Sequence, residues 1–456
     1  MVEAIANGIE DKLINALSFK FNPGASYVTD RRSVTFHPQG SNIYMPGQGT
    51  KLIRILLTGD NWIDPSTFRV MFNLNNLDTT TGKNLRPLGG PWSFFRRMRI
   101  LCAGQLVEDI MDYNRIHEMI HMMIAKESRE NDMAEAFGQA WNEYEWQQGR
   151  WDTDDFAGIE PNSSMTVLFK PLSGILNQNK YLPLKWAPLT IELELVDDKN
   201  EPILSQFSKP TASDGFTAAN TSTDWSINNV MVKTDVCTLD NALDNSYYQH
   251  VMSGKSLQIH YNTFISQIQT IAGQDNPLIT VSRAITRLKS VFVTLVKGYN
   301  DLDRNALDGR KFWNDFFSPM SVHDREGFFK HVQEAEFEFQ LQIGSKLFPE
   351  YPIRSHAEAY YQLKKTLGVQ ASAVHNFDIS ATEYRDHKFV IGTDCERVLD
   401  AGFTGINTRA GDLMTVKLKY NSRGGNTDAY LADRIQVILH SDQIMEIRDS
   451  GVAVFD

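Results

Sequence analysis

The chain is poor in cysteine. Three residues, Cys102, Cys237 and Cys395, stand far apart along 456 positions. An odd number at that spacing implies neither a disulfide framework nor a cysteine-based zinc site, and it suits a reducing compartment. Positive charge is also in deficit: 45 Lys and Arg against 56 Asp and Glu, a formal net charge of −11. A protein that grips nucleic acid through its phosphates carries a basic surplus or a basic stripe. The densest basic cluster, Phe95-Arg96-Arg97-Met98-Arg99, is short and reads as one polar strand face. No specific nucleic-acid binding is expected. Long apolar runs are missing as well. No segment approaches the length of a membrane span, so no transmembrane segment is expected. Residues 1–20 lack the basic start and unbroken apolar stretch of a secretion signal. Neither a nucleophile elbow nor a phosphate-binding glycine loop occurs.

What is present is core material in strand-sized pieces. Hydrophobic residues make up 42% of the chain, with 26 Phe, 15 Tyr and 8 Trp, which is ample for a large core and suits strands. The length calls for two domains. Residues 1–20 read as an amphipathic helical arm, with Val2, Ile5, Ile9, Leu13 and Leu17 near helical spacing. Its polar face carries Glu3, Glu10, Asp11 and Lys12 and is acidic on balance, which argues for docking on protein rather than on an anionic membrane. Short apolar runs follow at 33–44, 51–57, 68–74 and 94–107, separated by Gly, Pro, Asn and Asp. Residues 111–137 break the pattern, with Met111, Ile116, Met119, Ile120, Met123 and Ile124 at helical spacing and Gly138 placed to end the helix.

Strands resume at 165–169. The alternation of Leu189-Thr190-Ile191-Glu192-Leu193-Glu194-Leu195 predicts a strand with one wet face. A loop rich in Ser, Thr, Ala and Gly over 205–224 precedes strand material at 225–239. A polar helical segment at 240–255 marks the domain boundary, after which the pattern restarts with Leu257, Ile259 and Tyr261. Further strands are predicted at 286–296, at 335–343, where apolar and polar residues alternate cleanly, and at 413–420 and 434–447. Ser355-His356-Ala357-Glu358 is a capping box for a short helix that Gly368 ends, and Arg423-Gly424-Gly425-Asn426 reads as a turn or loop. Many strands without regular intervening helices disfavour a parallel α/β sheet. The fold class is therefore all-β, read from the residues as two antiparallel sandwiches or jelly rolls in tandem, with a few inserted helices and an N-terminal helical arm. The division is 1–20 arm, 21–240 first jelly roll with a helical insertion at about 111–160, 241–255 linker and 256–456 second jelly roll.

One motif could carry chemistry. His117-Glu118-Met119-Ile120-His121 puts two imidazoles on one helix face, where they can share a zinc ion while the Glu acts as general base. Glu143 follows at a separation near that of a gluzincin third ligand. The longer metzincin pattern is absent, and the helix interrupts a strand series instead of lying beneath a sheet in a helix-rich domain. The reading is no catalytic, cofactor or metal residues, with a zinc metallopeptidase using these residues as the alternative. Asp301-Leu302-Asp303-Arg304-Asn305 begins like a calcium loop, but Ala306 and Phe312 stand where Gly and Glu are needed. Asn162-Ser163-Ser164 and Asn220-Thr221-Ser222 fit the glycosylation pattern, which matters only in a secreted chain.

The run Phe339-Gln340-Leu341-Gln342-Ile343-Gly344-Ser345-Lys346-Leu347-Phe348-Pro349-Glu350-Tyr351-Pro352-Ile353 and the following Ser355-His356-Ala357-Glu358-Ala359-Tyr360 resemble the double jelly-roll major capsid proteins of the Polinton, adintovirus and Polinton-like virus group. The ending Ile447-Arg448-Asp449-Ser450-Gly451-Val452 is similar to that family's. Phe169-Lys170-Pro171-Leu172 with Leu182-Pro183-Leu184 looks like the end of a first roll in large-DNA-virus capsid proteins, and Val236-Cys237-Thr238-Leu239-Asp240 like the link between barrels. The resemblance implies jelly rolls rather than other sandwiches: two tandem eight-stranded antiparallel jelly rolls with a few inserted helices and an N-terminal helical arm, in a non-enzymatic shell subunit whose rolls stand perpendicular to the shell. It implies homotrimeric, pseudo-hexagonal capsomers that contact neighbouring capsomers, penton and minor capsid proteins, no cofactor, and a place in the icosahedral virion after assembly inside the host cell. A carbohydrate-binding tandem β-sandwich is a third reading, since jelly rolls also host lectins.

Overall fold

The computed structural model describes residues 27–47, 51–138, 158–203, 221–271, 274, 276–296, 316, 318, 336–368, 379, 383–384, 388–396, 404–409, 413–421 and 432–456. The arm at 1–20, Glu143, the loop opening at Asp301 and the turn at 423–426 lie outside them.

The first half contains β1 (Val28–Phe36), β2 (Ile43–Tyr44), β3 (Leu52–Leu57), β4 (Trp62–Asn76), β5 (Phe95–Cys102), β6 (Gln105–Met111), β7 (Ser164–Phe169), β8 (Leu182–Pro183), β9 (Leu189–Leu195) and β10 (Trp225–Leu239). One sheet runs β1-β10-β4-β7 and the other β3-β9-β5-β6, with β2 and β8 attached to the first. All pairings are antiparallel. The second half repeats the wiring with β11 (Leu257–Thr270), β12 (Leu278–Val281), β13 (Leu288–Val296), β14 (Glu336–Ile343), β15 (Lys346–Ile353), β16 (Ile391–Asp394), β17 (Met414–Asn421), β18 (Arg434–Arg448) and β19 (Gly451–Phe455). Its sheets run β11-β18-β13-β16 and β12-β17-β14-β15, with β19 added to β18. Counting eight principal strands among the described residues of either half in chain order, one sheet reads 1-8-3-6 and the other 2-7-4-5. That is the jelly-roll arrangement, made twice.

Strand alternation explains the cores. In β4, Phe68, Val70, Phe72 and Leu74 face inward, and in β9 Leu189, Ile191, Leu193 and Leu195 do so from the opposite sheet. Phe337, Phe339, Leu341 and Ile343 of β14 meet Val291, Val293 and Leu295 of β13 in the second roll in the same way. Among the described residues, four α-helices decorate this frame: α1 (Tyr113–Met122), α2 (Lys126–Glu135), α3 (Asn241–Met252) and α4 (His356–Thr366). In α4, Ser355 Oγ accepts from Glu358 N at 3.2 Å, and Gly368 takes the left-handed φ of 72° that closes the helix.

Some boundaries differ from expectation. The run at 33–44 is two strands, because β1 begins at Val28 and Gly40 turns the chain with φ 103° before β2. The run at 94–107 is a hairpin, β5 and β6, turned by Ala103 and Gly104, both with positive φ. The helix expected over 111–137 breaks between α1 and α2. The wet face of β9 is not wet at its centre: Glu192 is buried because Arg54 and Arg99 lie across it.

Candidate functional site

Helix α1 sits at the centre of what the sequence singled out. It starts where β6 ends, turned by Asp112 at φ 51°, and nine of its ten residues are buried. His117, Glu118 and His121 share a face, and Trp92, from the 3-10 turn Pro91–Phe94, occupies that face. The indole stacks on His117 at 4.1 Å between centroids and lies tilted against His121 at 4.6 Å. Its Nε1–H donates to Glu118 Oε2 at 2.7 Å. Gly90 makes room for this ring, since a Cβ there would stand 2.4 Å from it. His121 Nε2 is 3.7 Å from Asp132 on α2.

Burial sets the electrostatics. It pushes His117 well below the ordinary imidazole value, helped by His121, and lowers His121 to about 3, helped by the charge of Arg129. The Glu118 carboxyl is raised by burial, against the pull of the Trp92 hydrogen bond and the charges of Lys388 and Arg129. The cluster is thus two neutral imidazoles and a carboxyl wrapped around one indole. Among the described residues, no group of three or more His, Cys, Asp or Glu side chains is placed to hold a metal ion.

The other end of α1 meets the second roll. Arg115, buried, donates from Nε to Gln436 Oε1 on β18 at 2.9 Å and from Nη2 to the Leu295 carbonyl on β13 at 3.0 Å. Its guanidinium lies 4.4 Å from the centre of the Phe316 ring. Gln436 Nε2 donates to Ser266 Oγ at 3.0 Å, and Ser266 Oγ donates to Asp112 Oδ2 at 2.9 Å. The seam continues along β6. The Tyr261 hydroxyl from β11 lies 3.0 Å from the Val107 carbonyl and 2.8 Å from Gln443 Oε1. Glu108, fully buried, accepts from the backbone N–H of Gly174 at 2.9 Å and from the Ser173 hydroxyl. Gly174 presses on β11 so closely that a Cβ would stand 1.6 Å from the Asn262 carbonyl oxygen. No sequence pattern marks Arg115, Glu108 or Gln436. Each is a lone polar residue whose partners lie far away in the chain.

The basic cluster is neutralised in place. Arg96 pairs with Asp197, Arg97 with Asp109 through two bonds of 2.8 and 2.7 Å, and Arg99 with Glu192 at 2.7 Å. These strand-face arginines are committed to carboxylates on the same sheet and its adjoining loop. Cys102, Cys237 and Cys395 are buried free thiols. Asn162 takes a left-handed turn conformation at φ 57°, and Asn220 lies outside the described residues. No described helix is long and apolar enough to cross a membrane.

No protein-family model matches the chain, and no curated protein matches it in sequence. Its fold does have counterparts, double jelly-roll major capsid proteins of large DNA viruses and virophages. The chain is similar to PBCV-1 VP54, fitted into a reconstruction of the virophage Sputnik, at TM-score 0.62 and 10% identity over 97% of this chain and 99% of that one. It is similar to the Faustovirus major capsid protein at TM-score 0.59 and 9% identity, covering 97% and 93%. A chain of the Sputnik virophage structure matches at TM-score 0.58 and 7% identity, covering 98% and 92%. These likenesses extend over both rolls and establish the shared double jelly-roll fold.

Proposed function

We propose that the chain is a major capsid protein that builds the shell of an icosahedral DNA virus, with three copies forming a pseudo-hexagonal capsomer of six barrels. The observation that carries this is the duplicated 1-8-3-6 and 2-7-4-5 wiring within one chain, matched end to end by capsid proteins such as VP54. Three two-barrel subunits around a cyclic axis give a body with six similar sides, which tiles a hexagonal lattice. The domain division at 241–255 fits the placement of α3 between the last strand of one roll and the first of the next. Neighbouring capsomers, penton and minor capsid proteins are the partners in this reading, and the virion is its location. The sequence resemblance assigns it to the Polinton, adintovirus and Polinton-like virus group.

We read the His117-Glu118-Met119-Ile120-His121 helix as packing and not as a zinc centre. Trp92 fills the face where a metal would sit and takes the Glu118 oxygen that a general base would need. The paired arginines support the absence of a dedicated nucleic-acid surface. Light scattering on the purified chain tests the assembly, with a mass of three subunits expected. A stable monomer at high concentration, or electron micrographs of the expressed protein without hexagonal bodies, would contradict it.

A further inference from the structure

The outermost strand of a sheet presents a row of unpaired backbone N–H and C=O groups, which is a template for another strand. Several rims of the two rolls are blunted. β15 carries Pro349 and Pro352, which have no N–H to donate. On β12, Gln267 Nε2 donates to the Thr280 carbonyl at 3.0 Å, and Gln267 Oε1 accepts from Ser282 N at 3.3 Å. α4 lies so close to β16 that a Cβ on Gly392 would stand 2.9 Å from Thr366 Oγ1. The chain ahead of β3 folds back on it, with Gln39 N donating to the Arg54 carbonyl at 2.9 Å. On β11, Lys180 Nζ from the first roll donates to the Gln258 carbonyl at 2.7 Å.

β1 is different. Its nine residues include no proline, and Thr29 to Ser33 are all exposed. It pairs with β10 on one side, and among the described residues no strand pairs with the other. Its charges are arranged in an unusual way. The Arg31 side chain turns back over its own sheet, with Nη2 2.9 Å from Asp64 and Nε 2.8 Å from Asp235. Asp30 and Arg32 lie two residues apart, on the opposite strand face from Arg31. Among the described residues, neither side chain has an ion-pair partner. By contrast, Arg96, Arg97 and Arg99 on β5 each hold a carboxylate. One open rim therefore displays an unpaired acid and an unpaired base.

We propose that β1 pairs antiparallel with β1 of a second copy of this chain, about a twofold axis at Arg31. In that register Asp30 stands opposite Arg32 of the other copy, and symmetry repeats the pair. Thr29 falls opposite Ser33, so the facing residues match in size and complement in charge. The two Arg31 side chains meet at the axis, but each is already neutralised by Asp64 and Asp235 of its own molecule. A second copy is the occupant because the strand is its own charge complement. The contact is twofold and the capsomer proposed above is threefold, so either can fail without the other.

Sedimentation of the full chain at rising concentration tests this. The signal is a species of at least twice the mass of the basic unit, whether that unit is one chain or three. Asp30→Arg sets arginine against arginine at both pairs, and Arg32→Asp sets acid against acid. Each variant alone should need about tenfold more protein to associate than the native chain. Its melting temperature should not change, since both side chains are exposed and unpaired in the single copy. An equimolar mixture of the two variants presents oppositely charged strands and should associate at the native concentration. Single variants that associate like the native chain would overturn the proposal, as would a mixture no better than its components. A native chain that stays at the basic unit up to its solubility limit would also reject it, and would leave the rim to a strand of another protein.

Discussion

Trp92 holds four side chains with one ring. Its N–H goes to Glu118, its face carries His117, and His121 and Phe169 lie against it. Removing the ring opens a large cavity and strips a buried carboxyl of its indole donor, so Trp92→Ala should cost about 3–5 kcal/mol. Glu118→Gln keeps a carbonyl oxygen for the indole and should cost about 1 kcal/mol or less, with oligomer mass unchanged. Thermal melting separates the two, and elemental analysis closes the argument. One zinc per chain, lost in His121→Ala, would restore the metal reading. The spacing of the histidines was legible in the sequence, and so was their shared helix face. Trp92 was not, because it stands 26 positions before Glu118 and reaches it only through the turn that carries it.

At the scale of elements, α1 shows why periodicity read its position well and its role poorly. Ile116 and Met119 supplied the helical signal and are buried as a stripe should be. Asn114 and Arg115 are buried too, and nothing in a one-chain pattern foretells that a second domain will cover a polar face. The strands were easier to read, since alternation over β9 and β14 is a local property of the pleat. Their 1-8-3-6 order is not local, and no pattern along the chain states it; the family resemblance implied jelly rolls without it. The consequence for α1 is testable. Arg115→Met leaves Gln436 Oε1 and the Leu295 carbonyl without their guanidinium donor at a buried seam, and should cost about 1–3 kcal/mol in thermal unfolding. Arg115→Lys should recover only part of this, because an ammonium cannot reproduce the planar fork that reaches both acceptors. Full stability in the Met variant would mean that apolar contacts alone hold the helix between the rolls.

For the whole molecule, the polar seam decides whether two rolls behave as two bodies or one. Arg115, Asp112 and Glu108 belong to the first half, while Gln436, Ser266 and Tyr261 come from the second. Separating the rolls would strand several buried polar groups at once, so calorimetry should record a single unfolding transition. Glu108 makes this seam sensitive to pH. Burial raises its carboxyl from 4.5 to about 7, against the hydrogen bonds from Ser173, Gly174, Ile175 and Thr263 that favour the charged form. Tyr113 and Tyr261 stand nearby with their phenols held neutral by burial. Because the folded value lies above the unfolded one, the contribution is fully present below about pH 4.5 and is lost as pH rises through about 7. The swing is on the order of 3 kcal/mol. Glu108→Gln cannot ionise and should remove it. The melting temperature of the variant should therefore gain on the native chain between pH 5 and pH 8, whatever its absolute value. Parallel profiles for the two proteins would mean that Glu108 is already charged in the fold, held by its four donors alone.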